Sequence, residues 1–398
     1  MRGARPLLMF AAFMLILTYA LEANAQLLPK GQPSAGEDDA EKEDEKNKES
    51  PWLVIPTLSS GPKLGTSFGA LGAYLHYFDK QSQVSMFGAT AQYTTTGSTI
   101  LGAFAKTSFD SDHQRLLVFA GGGVIKNNYE DFLGTGQPLE STDDLRAFAT
   151  RYLYRVWDDW FIGLQGIYTN YEILGQSALD DQVLNTLGLT GFNSGGIGAV
   201  VMHDSRDNEN SPTKGWVMNF NNIAYREWIY GEQNFDVYRL DFKGYWEHGD
   251  GNVLAVRQNN QWTADAPPAA YAPVTLRGYK FGQYLGKYMS SIEVEERLRL
   301  AQRWTATAFA GVACLYGGDL KCDEEVNLYP AVGVGVQYIL KPEAGIVANL
   351  EYAQGKAGNY AVLLKLGYVS DVGRCSVAVG GESAGIGELV GTMYADHG

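Results

Sequence analysis

The stretch Val274-Thr275-Leu276-Arg277-Gly278-Tyr279-Lys280-Phe281-Gly282-Gln283-Tyr284 carries an arginine followed by a glycine, three aromatics and no acid. A guanidinium presents five donors in a planar fork and is best satisfied by a carboxylate taken side-on. Such an arginine has to find its acid elsewhere in the chain. The nearest concentration of acids is Ser291–Leu300, SIEVEERLRL. In an extended chain alternate residues share a face. Glu293, Glu295, Arg297 and Arg299 then lie on one side, and Ile292, Val294, Leu298 and Leu300 on the other, interrupted by Glu296.

Other groupings promise less chemistry. His203-Asp204-Ser205 contains the residue types of a hydrolase triad, but neighbours in a strand point to opposite faces and cannot form a relay. Asp204 and Arg206 are better read as bracing a turn. The DSRDNE run lacks the glycine and acid spacing of a calcium loop. Gly121-Gly122-Gly123 is followed by no helix, so close strand packing accounts for it better than a phosphate cradle. Cys314, Cys322 and Cys375 have no metal-ligand spacing; a Cys314–Cys322 disulfide fits an exported chain, with Cys375 left over. The chain is therefore read as a non-enzyme with neither cofactor nor metal. Its formal net charge of −14 argues against a nucleic-acid partner.

The elements that would position these residues are strands. Residues 1–25 read as a signal peptide: two arginines, an apolar run from Pro6 to Ala20, and Ala23-Asn24-Ala25 before the cleavage point. Residues 26–50 read as an acidic, disordered linker. Beyond it no apolar run is long enough for a membrane helix. Yet 12% of residues are aromatic, and there are 47 glycines. From Trp52 onward the chain alternates, with no sustained helical period. In DVYRLDFKGYWE, Tyr238, Leu240, Phe242, Gly244 and Trp246 oppose Val237, Arg239, Asp241, Lys243, Tyr245 and Glu247. In NYAVLLKLGYVS, Tyr360 and Tyr368 bracket Val362, Leu364 and Leu366, the aromatic-aliphatic-aromatic order of a lipid-facing strand.

Sixteen such segments are predicted: 52–59, 64–78, 82–95, 97–109, 112–126, 142–157, 160–173, 193–205, 214–228, 233–247, 251–263, 288–300, 303–316, 328–340, 344–355 and 359–370. Long gaps (127–141, 174–192, 264–287, 317–327) follow odd-numbered segments and short gaps the even ones, the eighth excepted. Membrane barrels sort their loops in this way; a sandwich has no reason to. The fold class is all-β, a 16-stranded antiparallel transmembrane β-barrel over residues 51–370, apolar outside and ionic within. Residues 371–398 form a Gly-rich tail with no assigned structure.

Two motifs carry a resemblance. Asp204, Arg206, Pro212 and Gly215 fit a D-x-R-x(5)-P-x-x-G turn, and Arg277-Gly278-Tyr279 an arginine-glycine-aromatic motif between the eleventh and twelfth strands. Together, in register with sixteen strands, they resemble the BamA/TamA family of outer-membrane barrels, specifically bare-barrel members without POTRA domains. The resemblance implies that the extracellular loop between strands 11 and 12 folds inward and that Arg277 binds acids of the lumen wall. The candidates are Glu293 and Glu295, with Arg297 beside them. Gly278 would let the backbone turn where a side chain would clash. One departure is clear: the family's Phe-x-Asp-x-Gly maps onto Phe309-Ala310-Gly311-Val312-Ala313, so Gly311 stands in place of the aspartate.

The resemblance further implies a bacterial outer-membrane location and a role in inserting or translocating proteins or lipids. Partners would then be outer-membrane lipid and lipopolysaccharide, client outer-membrane proteins, or a periplasmic protein replacing the missing domains. Two readings of Pro56 stay open: it weakens the seam between the first and last strands, since it cannot donate to the ladder opposite the strand of Tyr360 and Tyr368, or it sits at a harmless rim position. Two alternatives stay open: a plugged passive channel or structural barrel with no client, and an adhesin acting through 127–141 and 174–192.

Overall fold

The computed structural model describes residues 50–366, apart from 62–64, 130, 209–210 and 343–345. The strands are β1 Trp52–Gly61, β2 Gly65–His76, β3 Ser85–Thr94, β4 Thr99–Phe109, β5 Gln114–Tyr129, β6 Leu139–Trp157, β7 Trp160–Gly175, β8 Ser194–Asp204, β9 Gly215–Tyr225, β10 Phe235–His248, β11 Asn252–Ala264, β12 Ala272–Pro273, β13 Leu285–Gly286, β14 Tyr288–Arg299, β15 Trp304–Tyr316, β16 Leu328–Lys341, β17 Ile346–Gly355 and β18 Tyr360–Leu366. Sixteen of them close an antiparallel barrel in chain order, with β14 next to β11. The two-residue strands β12 and β13 pair only with each other, inside the connection from β11 to β14. Every predicted segment is a strand. The odd gaps form the long-loop rim and the even gaps the short-turn rim.

Alternation sets the two faces. In β10, Val237, Asp241, Lys243 and Tyr245 are buried, while Tyr238 and Trp246 are exposed. In β14, Glu293, Glu295 and Arg297 are buried, and Ile292, Val294 and Leu298 face outward. Among the described residues no helix is long and apolar enough to cross a membrane; a barrel crosses with strands. Outward aromatics gather at the rims. At the short-turn rim they run Trp52–Tyr74–His76–Phe78–Phe109 and Trp157–Trp160–His203–Trp216–Phe242. At the other rim Tyr288 packs on Tyr316, whose hydroxyl accepts from Trp262 Nε1 at 2.9 Å. An aliphatic band between aromatic girdles is the surface that fits a lipid bilayer.

Three expectations need correction. The lumen is not ionic throughout. From β1 to β4 the buried face carries no charged side chain among the described residues, and Leu53, Leu71, Ala73, Ile100 and Phe104 join Leu117, Phe119 and Leu145 of β5 and β6 in one cluster; β5 and β6 add the buried charges Arg115, Asp143 and Arg151. Glycines make room for the cluster's rings; a Cβ on Gly88 would lie 2.5 Å from Phe104, and one on Gly121 2.5 Å from Phe119. Secondly, the gap 174–192 is not bare. It holds α1, Ala178–Leu187, capped by Ser177, which accepts from the Asp180 amide, and ended by Gly188 in the left-handed region at φ 67°. Ten residues are too short for a helical period to stand out. Thirdly, Arg299, assigned to the inner face, is exposed at the short-turn rim.

Around the long-loop rim the connections pack on one another. Leu184 of α1 joins Leu189, Tyr129, Phe132 and Leu139 in a buried cluster that Ala269 and Leu285 of the β11–β14 connection also touch. Cys314 and Cys322 are disulfide-bonded, tying the end of β15 to its loop. The signal peptide, the acidic linker, Tyr368, Cys375 and the tail 371–398 lie outside the described residues.

Candidate functional site: an arginine lock in the lumen

The β11–β14 connection, residues 265–287, descends from the long-loop rim into the barrel. Its tip places Arg277, with a fully buried side chain, against three acids. The Nε and Nη2 of Arg277 donate to the two oxygens of Glu293 at 3.1 and 2.6 Å. Its Nη1 donates to Glu295 Oε2 at 2.8 Å and Glu351 Oε2 at 3.4 Å. The guanidinium carbon sits 3.3 Å from the centre of the Phe309 ring. Fork, acids and aromatic face together satisfy a buried cation that would otherwise be costly.

Neighbouring residues fix the fork's approach. Gly278 has φ 90°, and a Cβ there would lie 3.1–3.3 Å from the backbone of 353–355 on β17. Tyr279 donates to the Pro330 carbonyl and accepts from the Lys356 amide at 3.0 Å. Burial pushes its pKa up to about 12, against the opposing effect of the Lys356 amide, so the phenol keeps its proton and its donor role. Its ring lies over Gly355, where a Cβ would be 2.7 Å away. Gln283 and Tyr284 both bind Asp131, latching the connection to the loop of residues 131–138.

The two acids read from the sequence, Glu293 and Glu295, are the principal partners of Arg277. Two further contributors were not foreseen. Glu351, from β17, supplies the third acid, and Phe309, from β15, supplies the platform. Gly311 lies opposite Glu293 in the ladder, where the resembling family has an aspartate. The alternation of β17 put Glu351 on an inner face, but only the barrel's curvature and the depth of the loop bring that face to Arg277.

Arg297 extends the site toward the short-turn rim. Its Nε donates to Glu295 Oε1 at 2.7 Å and its Nη1 to the Pro212 carbonyl at 3.2 Å. Pro212 is buried in the 205–214 turn. At the start of that turn Arg206 takes both oxygens of Asp204, at 2.7 and 2.9 Å, and Arg115 binds the same carboxylate at 2.8 Å. Asp112 then joins Arg115 to Arg155. Gly215, at φ 92°, closes the turn where a Cβ would lie 2.2 Å from the Ser205 carbonyl oxygen. The 203–205 residues form no relay: His203 stacks outward on Trp216 at 3.8 Å.

At the seam, Pro56 pairs with Ala70 of β2. Toward β18 the described residues of β1 make one registered pair, Ser60↔Val362. Tyr360 belongs to β18, half-exposed on the outer face. No metal-binding cluster occurs among the described residues.

No family model matches the chain, and no curated protein matches its sequence. Its fold is similar to that of BamA from Haemophilus ducreyi lacking POTRA domains 1–3, at 13% identity and a TM-score of 0.52, over 79% of this chain and 70% of that one. It is also similar to CdiB from Acinetobacter baumannii (8% identity, TM-score 0.53, 79% of this chain and 59% of that one). CdiB from Escherichia coli matches likewise (12% identity, TM-score 0.52, 79% and 62%). The chain thus spans less than two thirds of either CdiB chain. At these identities the likeness is one of fold: this is a BamA-type barrel, sixteen antiparallel strands around an inward-folded loop.

Proposed function

We propose that the chain is an outer-membrane barrel that assists the insertion or translocation of proteins or lipids, as its resemblance to the BamA/TamA family implies. The observation that carries this reading is a connection pinned inside the lumen by Arg277, in a barrel whose first strand carries Pro56, which cannot donate to the ladder. The 265–287 connection lies inside the lumen, pinned through Arg277 to β14 and β17. A substrate strand meets the β1–β18 edge, and an opened edge can take up a strand through main-chain hydrogen bonds. The lipid-facing belt and the leader near Ala25 support an outer-membrane location after cleavage. Outer-membrane lipid, lipopolysaccharide, client barrels and a periplasmic partner are the expected contacts; catalysis is not part of the reading.

The test closes the seam covalently. Cysteines placed at Ser60 and Val362 should, when oxidised, reproduce the effect of depleting the protein on the outer-membrane proteome or on lipid asymmetry. A reductant should restore function. If depletion changes neither proteome nor lipid distribution, the assembly reading is lost and a passive structural barrel replaces it.

A further inference from the structure

Below the lock, toward the short-turn rim, the inner wall carries a row of neutral polar groups. Thr305 of β15 stands opposite Gln337 of β16, and Gln337 opposite Asn349 of β17. One step up the wall, Thr307 and Glu351 flank Gly335, where a Cβ would lie 2.8 Å from Thr307 Oγ1 and 2.7 Å from Glu351 Cγ. The glycine lets the threonine lean over β16, beside Gln337. Thr307, Gln337 and Asn349 are 4%, 2% and 0% exposed. Yet Thr307 Oγ1, both polar atoms of the Gln337 amide and both of the Asn349 amide have no hydrogen-bond partner. The charged neighbours in the ladder do not supply one: Arg297 stands opposite Thr307, Glu351 opposite Gly335 and Lys365 opposite Asn349. A buried polar group left unpaired is costly, and three on adjacent strands call for a ligand. We propose that Thr307, Gln337 and Asn349 form a site for the main chain of an extended polypeptide.

The chemistry of the row selects the ligand. In an extended chain the N–H and C=O of one residue point the same way. A carboxamide meets both, its oxygen accepting from the N–H and its nitrogen donating to the C=O. The next residue to point that way is two further on, about 6.6 Å along the chain. Two carboxamides on directly opposed residues, with Cβ atoms about 5 Å apart, span that distance when their arms splay. The Thr307 hydroxyl donates to a further carbonyl. Nothing in this set reads a side chain, so the site takes unrelated sequences. An acyl chain offers these groups no hydrogen bonds. A sugar ring would want an aromatic face as well as hydroxyl partners, and the aromatic beside the row, Phe309, already carries the Arg277 guanidinium at 3.3 Å. The site deepens the proposed function by naming polypeptide rather than lipid as what the lumen holds, and it rests on that reading for the source of the chain.

Fluorescence polarisation of a labelled, uncharged alanine-serine peptide on the full chain in lipid nanodiscs tests this. The wild type should bind the peptide. The same peptide N-methylated at alternate residues has lost its donors and should bind about tenfold more weakly, as should the unmethylated peptide on a Gln337→Leu/Asn349→Leu chain. Thr307→Val should weaken binding by less. Replacing an unpartnered buried amide by an apolar side chain is neutral or stabilising, so the double variant should unfold at the wild-type midpoint or above it. Amides held by structural water would give the reverse, a lower midpoint. The proposal is overturned if the wild type does not bind, if the double variant binds as the wild type does, or if N-methylation leaves binding unchanged. It is equally overturned if the midpoint of the double variant falls, or if maltopentaose displaces the peptide, which would make this a saccharide site. The depletion test reads a different quantity. An unchanged proteome and lipid distribution, beside peptide binding that the double variant loses, would remove the assembly role and leave the site standing.

Discussion

Replacing Arg277 by glutamine leaves Glu293, Glu295 and Glu351 facing one another in the lumen. Breaking a buried ionic group by removing one partner costs about 3–5 kcal/mol, because the charges left behind are uncompensated. Denaturant unfolding in detergent should show a loss of that order. Arg277→Lys should recover only part of it, since an ammonium cannot fork onto Glu293 and reach Glu295 together. Gly311 makes a second residue-scale case. The resembling family carries an aspartate there, which invites the thought that Gly311→Asp would strengthen the lock. In this barrel the opposite should follow. A Cβ at 311 would lie 2.8 Å from the Ile292 carbonyl oxygen and 3.1 Å from Glu293 Cβ, and its carboxylate would be a fourth acid for one central guanidinium. Gly311→Asp should lower the unfolding midpoint, and Glu351→Gln in the same chain should restore part of it. The sequence shows why half of this was legible. Glu293 and Glu295 follow from alternation in β14 alone, whereas Glu351 becomes a partner only once strands distant in sequence curve toward the loop tip.

At the scale of elements, the long-loop rim is a set of mutually braced connections. The Cys314–Cys322 bond closes a loop of sequence separation 8. Lys356 donates to the carbonyls of Val326 and Leu328, both at 2.6 Å, and its own amide holds Tyr279. The disulfide therefore backs the surface on which the lock's tyrosine rests. Cys322→Ser should cost about 2.5 kcal/mol from lost chain restriction in the unfolded state. It should also raise proteolytic nicking within 317–327, while the strands stay intact by circular dichroism. Nicking at the wild-type rate would show that the Lys356 and Asn327 hydrogen bonds hold the loop unaided. Strand positions were readable because a period of two repeats through each segment, and loop parity followed from counting. α1 was not readable. Its signals are a Ser177 cap, Asp180 and Asp181 in the first turn and Gly188 at the end, all local and brief, and Leu184 is its one buried residue.

For the molecule as a whole, the question is what fills sixteen strands. An empty barrel of that size encloses an aqueous channel. Here the wall from β1 to β4 is uncharged, the rest of the wall carries buried ions, and a loop lies in the lumen, pinned by Arg277 and packed near its root against α1 and residues 131–139. Composition could not reveal this division, because alternation shows that a residue faces inward but not what it meets there. The uncharged wall also borders the seam: Leu53, on β1, and Ile346, on β17, belong to the same cluster. A loop seated in the lumen suits the lateral route proposed above, since a lateral route is useful only if the axial one does not leak. Planar-bilayer recording separates the two. The wild-type barrel should show no large, stable open level, and Arg277→Gln, by freeing the loop, should produce long-lived openings of greater conductance. A large steady conductance in the wild type would mean that the loop does not occlude the axial path, and the barrel would then be a channel in which Arg277 serves only to brace the wall.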